Sequence, residues 1–182
     1  RATDDLQFRG AVSQTISRPG ITERSESRQY DPETDEEIIG APNLEISTID
    51  NLDLRTEYYF SESESISLAW FNKTIDAPIE RTIPDGSGSA ANGITFRNEE
   101  SATISGIEFD FSKDIADLGD VRFFTSGNIS FLDAEVILSP ESARFEGQTS
   151  RRLQGQSEIL GNLQLGFENE LSGQSLNIMI NH

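Results

Sequence analysis

Apolar and polar residues alternate along most of this chain, and the alternation predicts β-strands. The clearest stretch is 51–76, where two alternating segments flank a short polar link at 61–65. A period of two places successive side chains on opposite faces of a sheet, and a short link joins neighbouring antiparallel strands. We therefore predict a hairpin with one apolar face, formed by Leu52, Leu54, Tyr58, Phe60, Ile66, Leu68 and Trp70.

Five further segments alternate in the same way. They cover about 6–16, 102–111, 121–132 and 158–167, and a last one begins at residue 175. No stretch carries a 3.6-residue period long enough to indicate a stable helix. The pattern predicts an all-β protein, an antiparallel up-and-down meander of about seven strands.

The connections between these strands alternate in length. The long ones are 17–44, 76–101 and 133–152, of which the second includes a glycine- and serine-rich segment at 84–93. All short links then fall at one end of the sheet and all long ones at the other. Outer-membrane barrels have this arrangement, with short periplasmic turns and long extracellular loops. A soluble sandwich with Greek-key crossovers has no reason to adopt it.

Charge separates the two faces of the predicted strands. The face that carries the apolar residues has no Asp, Glu, Lys or Arg, whereas the other face carries Arg9, Asp53, Arg55, Glu57, Lys73, Glu108, Asp110, Arg122, Glu158 and Glu168. A charge that faces the middle of a bilayer costs roughly 2–4 kcal/mol, so a lipid-facing surface excludes charge. A soluble core excludes charge as well, and this pattern alone leaves both readings open.

Aromatic residues of the apolar face cluster near the short links. They are Phe8, Tyr58, Phe60, Phe109, Phe111, Phe123 and Phe167. Membrane barrels place aromatic girdles at the level of the lipid headgroups, which favours the lipid-facing interpretation over ordinary enrichment of aromatics in strands.

The polar face of the central strands carries a row of charges of both signs. We single out six residues as candidates that face a barrel lumen: Asp53, Arg55, Glu57, Lys73, Glu108 and Asp110. Residues opposite each other on neighbouring strands form ion pairs, so a structural role is the first interpretation. The second is contact with a plug domain or with a ligand that passes through the lumen.

Composition narrows the class of protein further. The chain has 182 residues and a net charge of −18. It lacks an apolar run of the ~20 residues that a membrane helix needs. Its acidity disfavours nucleic acid as a partner, because phosphates would be repelled.

The residue types present give little support for an enzyme or for a metal-binding protein. The chain has no cysteine, and its one histidine is His182. We therefore predict no His-based catalytic triad, no metal site of Cys or His, no cofactor and no enzymatic activity. The acidic stretch at 31–37 lacks the spacing of an EF-hand, and a solvated loop is the favoured interpretation over a cation site.

Several short motifs, taken in order and with their spacing, resemble the β-barrel part of TonB-dependent outer-membrane receptors. The motifs are Ala11-Val12-Ser13-Gln14-Thr15-Ile16-Ser17-Arg18-Pro19, Gly40-Ala41-Pro42-Asn43-Leu44, Glu57-Tyr58-Tyr59-Phe60, Phe71-Asn72-Lys73, Gly106-Ile107-Glu108 and Arg152-Leu153-Gln154-Gly155-Gln156-Ser157. Together they extend from the first predicted strand to the segment before the sixth, which is most of the chain.

The resemblance implies that 1–182 is a single partial domain, the middle-to-late portion of a large transmembrane barrel whose plug domain and remaining strands are missing. It implies energy-coupled uptake of a scarce ligand such as a siderophore, cobalamin or an oligosaccharide. The expected partners are outer-membrane lipid, the protein's own plug domain and TonB, and the expected location is the outer membrane of a Gram-negative bacterium. The alternative is a soluble β-rich binding or adhesin domain whose apolar face packs on another sheet.

Overall fold

The computed structural model describes residues 4–33, 35–83 and 93–182 and is built almost entirely of strands. In chain order the elements are β1 (Leu6–Ser17), α1 (Ile21–Arg24), β2 (Arg28–Asp31), β3 (Glu36–Ile39), β4 (Ser47–Tyr59), β5 (Ser65–Asp76), β6 (Ile79–Thr82), β7 (Gly93–Asn98), β8 (Ser101–Asp117), β9 (Val121–Ile137), α2 (Pro140–Glu146), β10 (Ser150–Arg152), β11 (Ile159–Asn169) and β12 (Gln174–Asn181).

Seven long strands form one sheet in the order β1-β4-β5-β8-β9-β11-β12, and the short β10 pairs with β9. Every pair in this sheet is antiparallel. All seven predicted strands are present, and the all-β meander is confirmed. The sheet is not closed on itself.

The apolar residues of all seven strands lie in register on one face, as predicted. One row of directly paired positions runs Gly10, Leu54, Trp70, Ile107, Phe131 and Ile159. A second runs Leu6, Tyr58, Ile66, Phe111, Gly127, Leu163 and Ile180. Within the described ranges nothing covers this face: Val12 is 83% exposed and Ile180 57%. No helix in the described part of the chain is long and apolar enough to cross a membrane.

Close packing of strands fixes one glycine on the apolar face. A Cβ atom added at Gly127 of β9 would lie 2.6 Å from the backbone oxygen of Asn162 in β11. Gly161 of β11 is also on the apolar face, but its Cβ would meet nothing closer than 3.9 Å. Only the first position requires glycine for steric reasons.

Tight turns join the strands at one end of the sheet. The turn after β4 closes with a hydrogen bond from Phe60 N to Glu64 O at 2.9 Å, and the turn after β8 with one from Leu118 N to Val121 O at 2.8 Å. Gly173 adopts φ 67° in the turn after β11, a conformation that favours glycine. The predicted alternation of short and long connections is therefore observed.

The long connections are more structured than the sequence pattern predicts. Four short strands from the first two form a second sheet in the order β2-β3-β7-β6, and its β3–β7 pair is parallel. The third lies later in the chain than predicted, at 138–158, because β9 continues to Ile137, and it contains α2 and β10. The glycine- and serine-rich segment lies outside the described residues except for Gly93, the first residue of β7.

The buried apolar core of the described residues lies where the long connections meet the sheet. It consists of Ala102, Ala134, Val136, Leu138 and Leu153, which are at most 9% exposed. The first three lie on the face opposite the apolar one, by their register with Ile75 and Ile104. The long connections therefore fold over the polar side of the sheet, and this edge of the polar side is itself apolar.

Candidate functional site

A row of polar side chains crosses the whole sheet on the face opposite the apolar one. Strand register places its members opposite one another in the order Gln7, Glu57, Ser67, Asp110, Asn128, Asn162 and Asn181. We call this face the polar face. All six candidate residues from the sequence lie on it, since Asp53, Arg55 and Glu57 alternate on β4 and Glu108 and Asp110 on β8, with Lys73 on β5.

Three of the six candidates form one ion-paired cluster. Arg55 contacts Glu57 at 3.0 Å through Nε and Asp110 at 2.9 Å through Nη2. Arg9 from β1 lies 3.1 Å from the other Glu57 oxygen, and the Ser67 hydroxyl donates to Asp110 at 2.7 Å. Glu57 is only 8% exposed, so its charge needs the compensation that the two arginines supply.

The other three candidates lie apart from this cluster. Glu108 accepts a long hydrogen bond from the Ser130 hydroxyl at 3.5 Å. Asp53 and Lys73 have no ion pair among the residues that the structure describes. Both line a cavity of about 280 Å³, which also contacts Ile104 and Gln156.

Neutral amides, which the sequence analysis passed over, occupy the polar face of β9, β11 and β12. Asn162 Nδ2 donates to Asn128 Oδ1 at 2.8 Å, and Gln164 Nε2 donates to Asn177 Oδ1 at 3.0 Å. The polar face therefore carries most of its charges at β1 to β8 and mainly amides at β9 to β12, apart from Arg122 and Glu168 near the turns, which lie 3.7 Å apart. The alternation of apolar and polar residues already places these amides on the polar face.

The three long connections are joined into one body, which we call the loop cap (residues 18–46, 77–100 and 138–158, as far as described). The parallel β3–β7 pair connects the first two. Arg81 in the second contacts Glu36 in the first at 3.3 Å. The Asn98 side chain accepts from Glu45 N at 2.8 Å and donates to Ala77 O at 2.7 Å.

Glu99 attaches the third connection to the second. Its carboxylate is 2% exposed and accepts from the backbone N–H of Ser139 at 2.7 Å and from the Ser142 hydroxyl at 2.6 Å. These donors belong to the start of α2, where Ser139 is the N-cap. The Ser139-Pro140 pair and Gly147 are ordinary start and stop signals for a short helix and could have predicted it.

A second buried carboxylate, that of Glu80, also joins the second long connection to the third. Arg151 contacts Glu80 at 2.9 Å and Glu146 at 3.1 Å. Burial alone would lower the pKa of Arg151, but its hydrogen bonds to the two carboxylates outweigh burial and raise the pKa above its usual range. Gln154 Nε2 adds a hydrogen bond to Arg81 O at 3.1 Å.

A cavity of about 520 Å³ lies between the loop cap and the sheet, and we call it the cap cavity. Ile49, Ile75 and Ile104 line it from the sheet. All three connections contribute to its lining, including Gly20, Pro78 and Leu153. Ile104 and Gln156 also line the smaller cavity that contains Asp53 and Lys73, so the two are adjacent.

Metal ligands do not converge in the part of the chain that the structure describes. No group of three or more His, Asp or Glu side chains there could hold an ion. The acidic stretch at 31–37 is partly engaged in ion pairs instead, Glu36 with Arg81 and Glu37 with Arg28 at 3.2 Å.

A continuous antiparallel sheet with one face whose central band is free of charge, one polar face and long connections at a single end is the wall of a large β-barrel. The chain belongs to the TonB dependent receptor-like β-barrel family, whose model matches residues 1–177. Members of this family are receptors and transporters, and their barrels are outer-membrane proteins of Gram-negative bacteria.

Solved structures with the same fold include two receptors and one transporter. The siderophore receptor PirA from Pseudomonas aeruginosa is 12% identical with a TM-score of 0.62, over 98% of this chain and 31% of that one. The RagAB peptide transporter is 13% identical with a TM-score of 0.63, over 97% and 26%. The ferric enterobactin receptor PfeA from Pseudomonas aeruginosa, solved with enterobactin, is 16% identical with a TM-score of 0.59, over 100% and 26%.

At these identities the likeness shows the fold. The chain spans less than a third of the length of each of the three proteins. No curated protein matches the chain at a significant level.

Proposed function

We propose that this chain is a single partial domain, a section of barrel wall from an outer-membrane receptor that imports a scarce ligand with energy delivered by TonB. The apolar face contacts lipid, the polar face lines the lumen and the loop cap lies outside the cell. The six candidates Asp53, Arg55, Glu57, Lys73, Glu108 and Asp110 then face the lumen, where the plug domain and the ligand are their partners.

The observation that carries this proposal is the apolar face that remains uncovered across seven strands in register. On β4 it extends from Leu52 to Phe60. At about 3.3 Å per residue this is ~26 Å of strand, or ~20 Å of height at a tilt of roughly 40°, close to the ~25 Å apolar band of such barrels. Charges appear on the same face just beyond it, at Asp50 and Asp133.

The opposite edge of the band has the composition of a membrane interface. Tyr58 and Phe60 pack edge to face with ring centroids 4.9 Å apart, and Phe123 and Phe167 lie 5.3 Å apart. The Lys113 ammonium lies 6.0 Å from the Phe60 ring centroid and 2.7 Å from Glu64. Aromatic rings with a nearby lysine suit the headgroup level of a bilayer.

The charge cluster on the polar face supports a wet lumen. Arg9 and Arg55 together compensate Glu57 and Asp110, so this part of the wall needs no external counter-ion. A plug domain or ligand can pass over such a surface without the cost of leaving a buried charge unpaired. The first role of this charge cluster is therefore structural, and contact with the plug domain or the ligand is its second role.

The test uses the complete receptor that contains this chain. Expressed in a Gram-negative host, it should fractionate with outer membranes and migrate as a heat-modifiable barrel. Ligand uptake by these cells should stop when TonB is deleted, while ligand binding to the cell surface should persist. A freely soluble periplasmic product would contradict the membrane assignment and favour the adhesin alternative. Uptake that is indifferent to TonB would contradict the energy coupling.

A further inference from the structure

The lining of the two adjacent cavities under the loop cap balances its own charge. Arg18 and Glu23 both line the cap cavity, and the third charged group there, Glu80, is neutralised by Arg151 at 2.9 Å. In the smaller cavity Asp53 and Lys73 are of opposite sign. Taken together, the two cavities offer neither a cationic nor an anionic surplus.

Four further arginines of the loop cap are already engaged by carboxylates. The pairs are Arg28 with Glu37, Arg81 with Glu36, Arg97 with Glu141 and Arg152 with Glu158. A polyanionic ligand would have to displace these carboxylates and would leave them near its own charge. A ligand without net charge encounters no such cost.

The larger cavity has an apolar wall that needs an occupant of matching chemistry. Ile49, Ile75 and Ile104 line it from the sheet, and Pro78 and Leu153, both buried, line it from the loops. Gln156 stands at the boundary with the smaller cavity and offers a neutral amide donor and acceptor. Apolar walls with a few polar groups are typical of small-molecule sites.

We propose that the cap cavity binds a ligand of no net charge that has an apolar surface, such as a neutral ferric chelate or a neutral oligosaccharide, and that it discriminates against polyanionic ferric catecholates. The inference rests on the proposed transport function and specifies the class of ligand. Burial of the ligand's apolar part against the isoleucines supplies affinity, and Gln156 supplies a hydrogen bond. The pairing of the loops by Glu99 and Glu80 holds the cavity open before the ligand arrives.

Binding to the complete purified receptor in detergent tests the inference, by calorimetry with three probes. Ferrichrome represents a neutral chelate, maltoheptaose a neutral sugar and ferric enterobactin a trianionic chelate. At least one neutral probe should bind at least tenfold more tightly than ferric enterobactin, and which one binds identifies the ligand source. A preference for ferric enterobactin, or no binding of either neutral probe at millimolar concentration, overturns the inference.

Variants then locate the site. Ile75→Trp fills the cap cavity and should weaken binding of the neutral probe at least tenfold, whereas Ile83→Trp, the same change at an exposed position of the loop cap, should leave it within twofold. Gln156→Trp narrows the junction of the two cavities from an exposed position, so it should weaken binding even if Ile75→Trp fails to assemble. Equal affinities of Ile75→Trp, Gln156→Trp and the parent receptor would overturn the assignment.

Failure of this inference is distinguishable from failure of the transport proposal. A receptor that reaches the outer membrane and imports a trianionic chelate in a TonB-dependent way contradicts only the ligand class. A protein that never reaches the outer membrane contradicts the transport function itself, whatever it binds in detergent.

Discussion

The barrel wall and the loop cap are stabilised in opposite ways. The wall has long strands and an exposed apolar face, and side chains of its polar face are joined by ion pairs and amide hydrogen bonds. The loop cap has short strands and surrounds the small core that contains Val136 and Leu138, with Glu80 and Glu99 buried beside it. The wall therefore needs a lipid environment to be stable, whereas the cap is stabilised by a buried core that it shares with the ends of β8 and β9. Substitutions in the wall should therefore impair membrane insertion, whereas substitutions in the cap should disorder the loops.

The largest effect is expected from a charge on the apolar face. Leu163→Arg should reduce the heat-modifiable fraction in the outer membrane strongly, because an arginine that faces mid-bilayer costs roughly 2–4 kcal/mol. The adjacent Gln164→Arg introduces the same side chain on the polar face and should assemble nearly normally. Equal losses from both variants would show that the faces are assigned wrongly. Leu54→Arg against Arg55→Ala repeats the comparison on β4.

A smaller effect is expected where two strands approach closely. Gly127→Ala places a Cβ atom 2.6 Å from a backbone oxygen of β11, so the strands must separate, at a cost of about 1–3 kcal/mol. Gly161→Ala on the neighbouring strand meets no such contact and serves as the control. The midpoint of urea unfolding in detergent or lipid measures both. A normal midpoint for Gly127→Ala would mean that the wall is less tightly paired than described.

In the cap, Glu99→Ala should disorder the third connection without preventing insertion. The change leaves the Ser139 N–H and the Ser142 hydroxyl without their buried acceptor, which costs about 1–3 kcal/mol. Limited proteolysis of intact cells should then cleave near α2 while heat modifiability is retained. Glu100→Ala, at the exposed neighbouring residue, is the matched control. Loss of membrane assembly in Glu99→Ala would contradict the separation of cap from wall.

The smallest effect concerns the pH dependence of the cap. The raised pKa of Arg151 means that its contribution is fully present below the unfolded-state value and is lost only as pH rises through the still higher folded-state value. Protease resistance of the cap should therefore not change between pH 7 and about pH 10 through this residue, since arginine titrates above about 12. Arg151→Lys should lose resistance as pH rises above about 10.4, the usual value for lysine, because Glu80 and Glu146 raise the pKa of the ammonium and its contribution is lost as it deprotonates. A pH-independent Lys variant would show that this ion pair does not hold the cap.

The same division separates what the sequence could and could not predict. The seven wall strands, their faces and the end at which the turns lie follow from a period of two, because each strand has an apolar side that repeats over eight or more residues. β2, β3 and β6 are four residues each and have no such repeat. They form through contacts between distant segments, such as the pairing of Glu37 with Gly93. A local sequence pattern therefore cannot predict those contacts.

The sequence predicted the positions of the six candidate residues only in part. Their common face follows from alternation, and the cluster of Arg55, Glu57 and Asp110 follows from register once the hairpin is known. The separation of Asp53 and Lys73 from that cluster depends on how the third connection brings Gln156 to the sheet. The buried positions of Glu80 and Glu99 were not predicted, because acidic residues in a polar connection are exposed by default. The lumen-facing role of the six candidate residues remains a prediction, which the binding and fractionation experiments test.

The first two long connections are joined through a shared sheet and the third through Glu99, which limits how this surface can diversify. Replacing one connection with that of a relative would remove a strand from the β2-β3-β7-β6 sheet or an acceptor from Ser139, and the neighbouring connection would lose its partner at the same time. Grafting all three together preserves every internal contact. The loop cap is therefore expected to be inherited as a block, with recombination at the wall strands as the exchange that leaves its internal contacts intact.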